Sequence, residues 1–234
     1  MIRKVGIFYA LAAVVAVLSG CSSENNEGTD IPQLLLGAAQ QAAQQRSEGR
    51  APPVVVTPKM LAETKIAALQ VNPEMAGGSD FLRRAATRRD SYPGDVEIWK
   101  SSDNAQIFLR NGVVVATRGV GADIISSDAS MTVRALQNRA ANAGIRRYIL
   151  SDGDVTATEV QFRCEVRLIG QENIAVVNQV FETTHLRETC VSDAAGGERI
   201  TNDYWVQSGT GLVRKSRQWV GARSGYFEMI LLKN

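Results

Sequence analysis

A single histidine, His185, serves the whole chain, and that scarcity excludes much enzyme chemistry. Any Ser-His-Asp or Cys-His site would have to use it, yet Thr183-Thr184-His185-Leu186 contains no nucleophile motif, so His185 reads as a plain strand residue. With one histidine and three cysteines, good zinc ligands are too few for a metal centre. Gly119-Val120-Gly121 lacks the third glycine and the βαβ setting of a dinucleotide loop. Ser151-Asp152-Gly153-Asp154 lacks the later carboxylates and closing glutamate of a calcium loop and reads as a turn. No cofactor or metal is expected. A pair of carboxylates for glycoside cleavage stays open, because their separation is a spatial matter. Long apolar runs are also missing. The longest, Val5 to Leu18, has fourteen residues, too few to cross a bilayer comfortably.

That run has another use. Arg3 and Lys4 precede it, and Leu18-Ser19-Gly20-Cys21 closes it. A positive n-region, a short apolar h-region and small residues before a cysteine make a lipoprotein signal peptide. Residues 1–20 are expected to be removed, leaving lipid on Cys21. Ser22 stands where enteric bacteria use Asp to retain lipoproteins in the inner membrane, so an outer-membrane, lipid-anchored location facing the periplasm is expected. Loss of Arg3 and Lys4 lowers Lys+Arg from 26 to 24 against 24 Asp+Glu, so the mature chain is formally neutral. With no long basic tract either, nucleic acid is not an expected partner.

Residues 22–57 are poor in bulky apolar side chains and complete a lipidated tether over 21–57. Ala and Gln dominate Ile31 to Arg46, a weak helix at best, and Pro52-Pro53 stiffens the approach to the folded part. Thr57-Pro58 starts a helix, with Thr as N-cap and Pro at the first position, running to about Gln70 before Asn72-Pro73. A second helical piece is expected over Asp80 to Arg89. It carries Arg83, Arg84, Arg88 and Arg89, either a solvated face or a contact for anionic lipid or acidic glycan.

From Val96 the period becomes two. Gln106–Arg110 and Val113–Arg118 flank Asn111-Gly112, a strong hairpin signal that sets Arg110 against Val113, Leu109 against Val114 and Phe108 against Val115. Thr158 to Leu168 alternates throughout, with Val160, Phe162, Cys164, Val166 and Leu168 on the core face. Further strands are expected near 174–183, 199–206, 212–220 and 226–232, and a helix over Ser130 to Ala143. Gly196-Gly197, Ser208 to Gly211 and Ser224-Gly225 mark turns. The fold class is mainly β: one antiparallel sheet or barrel-like domain over 58–234 with a short helical N-terminal region.

Two cysteines remain beside Cys21. In an oxidising compartment Cys164 and Cys190 should bridge; the alternative is two separate buried thiols. Among the C-terminal aromatics, Trp205 and Trp219 are either core or a sugar-stacking platform.

Trp99-Lys100-Ser101-Ser102-Asp103, the run Leu109 to Asp123, Asn202-Asp203-Tyr204-Trp205 and Lys215-Ser216-Arg217-Gln218-Trp219-Val220-Gly221 together resemble the YjbF/GfcB family of group 4 capsule polysaccharide lipoproteins. The resemblance covers roughly residues 58–234 and the lipobox. One departure is Ile98, where the family often has Thr. The resemblance implies a non-enzymatic outer-membrane lipoprotein that assists exopolysaccharide or capsule production or export. Its partners would be the membrane through the lipid, and polysaccharide or exopolysaccharide-export proteins. It supplies no catalytic residues. The competing reading is a carrier or chaperone for a lipid or lipoprotein, which an apolar cavity would favour over a packed core.

Overall fold

The computed structural model describes residues 55–121, 123–151, 156–193 and 197–234. The signal peptide, Cys21, most of the tether, Asp152-Gly153-Asp154 and Gly196 lie outside the described residues.

Among the described residues two helices and twelve strands run in the order α1 (Pro58–Glu63), β1 (Ala68–Pro73), β2 (Asp80–Arg88), β3 (Val96–Lys100), β4 (Gln106–Arg110), β5 (Val113–Arg118), β6 (Ile124–Asp128), α2 (Ser130–Asn138), β7 (Asn142–Ser151), β8 (Ala157–Val176), β9 (Gln179–Ser192), β10 (Arg199–Gln207), β11 (Val213–Trp219) and β12 (Tyr226–Lys233). All strands join one antiparallel sheet, ordered β5-β4-β3-β2-β1-β12-β11-β10-β9-β8-β7-β6. That order is the chain order bent into a ring. β1 and β12 pair where the two ends of the domain meet, and β5 and β6 are left as the two edges. The sheet is therefore a nearly closed barrel with a seam between β5 and β6.

Alternation decides the layers. Leu69 and Val71 of β1 and Phe227, Met229 and Leu231 of β12 point into the main core, while Ala68 and Leu232 belong to a second apolar cluster on the other face. That outer cluster is covered by the far end of the β8–β9 hairpin, through Ile174, Val176 and Phe181, and by Leu61 of α1 with Val56 just before it. Inside the barrel, Tyr148, Phe162 and Trp219 meet edge to face with centroids 5.3–6.1 Å apart. α2 packs Met131, Val133, Ala135 and Leu136 onto the same core.

Several expectations hold. Thr57 caps α1, accepting from the Met60 N–H at 3.2 Å. The Asn111-Gly112 hairpin forms, with Arg110 opposite Val113 and Leu109 opposite Val114. The C-terminal strands fall where alternation puts them.

Others do not. The helix expected over 57–70 stops at Glu63, and Ala68 begins a strand, because pairing with β2 and β12 overrides the helical propensity of an Ala-containing stretch. Asp80 to Arg88 is strand β2, not a helix, and puts neighbours Phe81 and Leu82 on opposite faces of the sheet. Its arginines therefore form no single face: Arg84 pairs with Glu97 at 2.7 Å and the following Arg89 with Asp95 at 2.7 Å. The short helical N-terminal region is thus reduced to α1, and the longer helix lies mid-chain. That helix ends at Asn138 rather than Ala143, where Arg139 turns left-handed at φ 48° and β7 follows. Phe108 faces Ala116, not Val115, because the β4–β5 ladder shifts by one residue between Phe108 and Leu109. Leu168 is 52% exposed although it pairs with buried Leu186, at the last position before the β8–β9 register shifts. The single strand expected at 174–183 is two strands around a tight turn at Val177 and Asn178.

Gly112 shows how tightly the β4–β5 hairpin is seated. It adopts φ 81°, and a Cβ there would lie 2.5 Å from the Val213 side chain. Gly112→Ala should cost about 1–3 kcal/mol from backbone strain and overpacking, read as a lower urea midpoint with unchanged m-value. No shift in the midpoint would mean that the hairpin stands away from β11.

Candidate ligand site at the barrel mouth

One end of the barrel is formed by the β1–β2, β3–β4, β5–β6 and β11–β12 loops, and between them lies a pocket of about 280 Å³. Its walls are apolar: Val71, Leu82, Ile107 and Phe227 come from strands, with Met75 and Val120 from loops. Polar groups gather around them: Asp80, Ser101, Asp103, Ser224 and Arg223. Such a lining, mostly apolar with a few convergent polar groups, is that of a small-molecule site.

Internal bonds build the rim. Asp123 accepts from the Gly119 N–H at 2.9 Å, the Val120 N–H at 3.2 Å and the Thr117 hydroxyl at 3.1 Å, which folds the glycine-containing loop. The Ser224 hydroxyl donates to the Val120 carbonyl at 2.9 Å, clipping the β5–β6 loop to the β11–β12 loop. The Ser101 hydroxyl bonds the Asp103 carboxylate, and the Asp80 carboxylate accepts from the Phe81 N–H at 2.8 Å. Met75, 68% exposed, lies against Gly225, where a Cβ would come within 2.6 Å of its sulfur. Arg223 is exposed and forms no ion pair among the described residues.

The barrel interior holds polar groups of a different kind. Glu188 and Arg146 are 0% and 1% exposed and pair at 2.7 Å. Glu188 also accepts from Asn202 at 2.7 Å, from Tyr204 at 3.2 Å and from the Thr132 hydroxyl. Burial opposes the Arg146 charge, but Glu188 beside it outweighs that and holds its pKa above the ordinary value. Burial, reinforced by the Glu188 charge, pushes the Tyr204 hydroxyl well up. This network reaches the seam. Arg146 donates to the Val114 carbonyl at 2.8 Å, and Gln218 accepts from the Val114 N–H at 2.9 Å and donates to the Gly112 carbonyl at 2.7 Å. Edge strand β5 thus has backbone groups satisfied by buried side chains where a neighbouring strand would otherwise supply partners.

Cys164 and Cys190 sit directly opposite each other on β8 and β9 and form a disulfide, with Cα atoms 4.0 Å apart. That is slightly closer than the 4.4–6.8 Å usual for bridges, because the bridge staples a directly facing pair in adjacent strands. The Glu188 carboxylate lies near both sulfurs, but bonded sulfurs are not metal ligands.

The two tryptophans are not brought together. Trp219 is 4% exposed within the interior aromatic cluster, so it presents no face for a sugar platform. Trp205 lies on the outer face, stacked at 4.5 Å on His185 and donating to Glu172 at 2.7 Å. His185 is more than a plain strand residue. It lies 2.8 Å from Asp203, which Arg187 also binds at 2.7 Å, and 3.3 Å from Glu172. These contacts tie the far half of the β8–β9 hairpin to β10.

With that geometry described, comparison with known proteins decides the family. A family model described as group 4 capsule polysaccharide lipoprotein GfcB, YjbF, matches residues 28–232. The chain belongs to the YjbF family. Among solved structures, it is similar to the hypothetical lipoprotein YmcC of Escherichia coli K12, at 20% identity and TM-score 0.65, over 85% of this chain and 94% of that one. This likeness supports the fold. A search of the curated proteins gives no match. The family's description is that of a capsule polysaccharide lipoprotein, which places the chain with proteins of the cell envelope. No helix among the described residues is long and apolar enough to cross a membrane.

Sequence reasoning missed the pocket. Two strings that carried the YjbF resemblance, Trp99 to Asp103 and Leu109 to Asp123, supply Ser101, Asp103 and Gly119-Val120-Gly121 to its lining. The glycine pair was rightly no dinucleotide loop, since it joins two antiparallel strands. What the sequence hid was that Asp80 and Arg223, more than a hundred residues apart, meet at the same mouth.

Proposed function

We propose that this YjbF-family chain is a non-enzymatic outer-membrane lipoprotein, anchored by lipid on Cys21 and facing the periplasm. It assists production or export of capsule or exopolysaccharide, in contact with the polysaccharide or with export proteins. The carrying observation is the family match over nearly the whole chain. The preformed pocket at the barrel mouth provides a place for recognition without a reaction.

The lipid-carrier reading gains less support. The barrel interior is filled by aromatic side chains and by the Arg146–Glu188 network.

The test is deletion of the gene and complementation with wild-type or Cys21→Ala protein. Deletion should lower surface polysaccharide and its secreted fraction, and wild type should restore both. Cys21→Ala should lose labelling by a palmitate analogue, leave the outer-membrane fraction and fail to restore export. Normal polysaccharide in the deletion strain would sink the export role, and unchanged labelling of Cys21→Ala would sink the anchor.

A further inference from the structure

We infer that the end of the barrel opposite the mouth docks on an anionic lipid bilayer through Val55 and Val180, so that the mouth pocket points away from the membrane. The inference rests on the lipid-anchor reading above and adds an orientation to it.

Topology defines the two ends. In an antiparallel ring of this order, successive loops alternate between ends. The β1–β2, β3–β4, β5–β6 and β11–β12 loops form the mouth, so the β8–β9 and β10–β11 turns and the entry into β1 lie at the other end. Two contacts agree. The Ser208 N–H of the β10–β11 turn donates to the Glu182 carbonyl of β9 at 3.0 Å. Val56, just before α1, packs on the same outer cluster as Val177 of the β8–β9 turn.

Exposure singles out this end. Val55 and Val180 are 77% and 69% exposed, the two highest values among the large apolar side chains described. Isolated exposed apolar residues are common, but these two adjoin one cluster. Val55 precedes Val56, which packs on it. Val180 lies opposite Ala175 on the outward side of the hairpin whose other side, through Ile174, Val176 and Phe181, closes over it. Apolar surface that a fold leaves uncovered in one place marks a protein or membrane contact.

The course of the chain says which. The described fold begins at Val55, and residues 22–54 join it to Cys21. The segment that leads to the lipid therefore enters the barrel beside these valines. A tether to the bilayer keeps them at high effective concentration over it, so a contact too weak to hold a free protein suffices.

Charge separates this end from the mouth. Lys59, Lys65, Arg214 and Lys233 stand around the outer cluster, against Glu63 and Glu182. The Arg214 guanidinium lies 4.2 Å from the Phe181 ring centroid. At the mouth the exposed apolar residue is Met75, and there Asp80, Asp103 and Asp123 stand against Arg223. An anionic surface attracts the first end and repels the second.

Full-length lipoprotein in vesicles of phosphatidylethanolamine and phosphatidylglycerol tests this. With Cys21 acylated and Cys164 bonded to Cys190, one introduced cysteine takes an environment-sensitive fluorophore alone. Labels at Val55→Cys and Val180→Cys should be blue-shifted. Shallow nitroxide lipid should quench them at least about fivefold more than labels at Ala76→Cys, on the mouth, or Arg163→Cys, on the barrel side. Val180→Asp should cut the quenching of the residue 55 label severalfold while the protein still floats with vesicles. Both valines are exposed, so these substitutions should leave the far-UV spectrum unchanged. Equal quenching at the mouth, none at either valine, or signals that persist without phosphatidylglycerol would each overturn the inference. Flotation reports the anchor separately. Protein that floats without quenching at the valines keeps the anchor and loses the docking face. Protein that carries no lipid removes the anchor; with vesicles in excess, a blue shift at residue 180 and not at residue 76 then keeps the docking face, and no shift overturns both.

Discussion

Glu188→Ala is expected to lower the unfolding free energy by about 3–5 kcal/mol, the cost of breaking a buried ion pair from one side. The carboxylate is 0% exposed and is the common acceptor for Arg146, Asn202, Tyr204 and Thr132. Removing it leaves the Arg146 guanidinium in the barrel interior with no counter-charge. The damage should spread to the seam, because the same guanidinium holds the Val114 carbonyl of β5. Urea denaturation gives the magnitude, and amide exchange at β5 locates the effect. The double substitution Arg146→Met with Glu188→Met should recover much of the loss, since an apolar pair leaves no charge stranded. A single-mutant loss below about 1 kcal/mol would mean that water reaches the pair and compensates the missing group. The seam would then be open and the barrel interior wet.

Breaking the Cys164–Cys190 bridge has the second large effect. The bridge closes a loop with a sequence separation of 26 residues. In chain-entropy reasoning such a loop contributes about 3.5 kcal/mol by restricting the unfolded chain. The two residues already face each other across the β8–β9 ladder, so reduction should leave the native register intact and act through the unfolded state. The expected result is a urea midpoint that falls on adding reductant by an amount equivalent to about 2–5 kcal/mol, with the folded spectrum unchanged. Thiol titration of the denatured, unreduced protein should find no free thiol, given the acylation of Cys21 proposed above. Two titratable thiols would remove the bridge. A changed folded spectrum on reduction would show that the bridge holds β8 and β9 together and does more than limit the unfolded chain.

Of the residues behind these two effects, Cys164 has a side of the sheet that was legible in advance. Alternation alone puts Cys164 with Phe162 and Val166, and it puts Glu188 between Leu186 and Cys190 on the same face. It likewise pairs Arg146 with Tyr148. A charged residue at an inward position of a strand is a signal that period-two reading contains, but the helix expected to end at Ala143 and the strands expected at Thr158 to Leu168 and 174–183 leave both Arg146 and Glu188 unplaced.

The sequence by itself determined the antiparallel β character, the Asn111-Gly112 hairpin, the core-facing stripe of β8 and the C-terminal strands. Each of these rests on local physics: side chains alternate every second residue, and Asn-Gly tolerates the left-handed turn. The resemblance to the YjbF family was legible too, because it lies in short strings of consecutive residues. Only the tertiary structure decided the rest. β1 and β2 are strands because β12 and β3 lie beside them, and local helix preference of a few tenths of a kcal/mol per residue cannot resist a completed ladder. The hairpin at Val177 and Asn178 carries no glycine to announce it; its place is set by the pairing of Val176 with Gln179. Pairing of β7 and β9 with β8 in one curved sheet brings Glu188 to within 2.7 Å of Arg146, and closure of the ring gathers four loops around one pocket. Those contacts join residues far apart in the chain, and linear patterns record which face a side chain takes but not what it meets there.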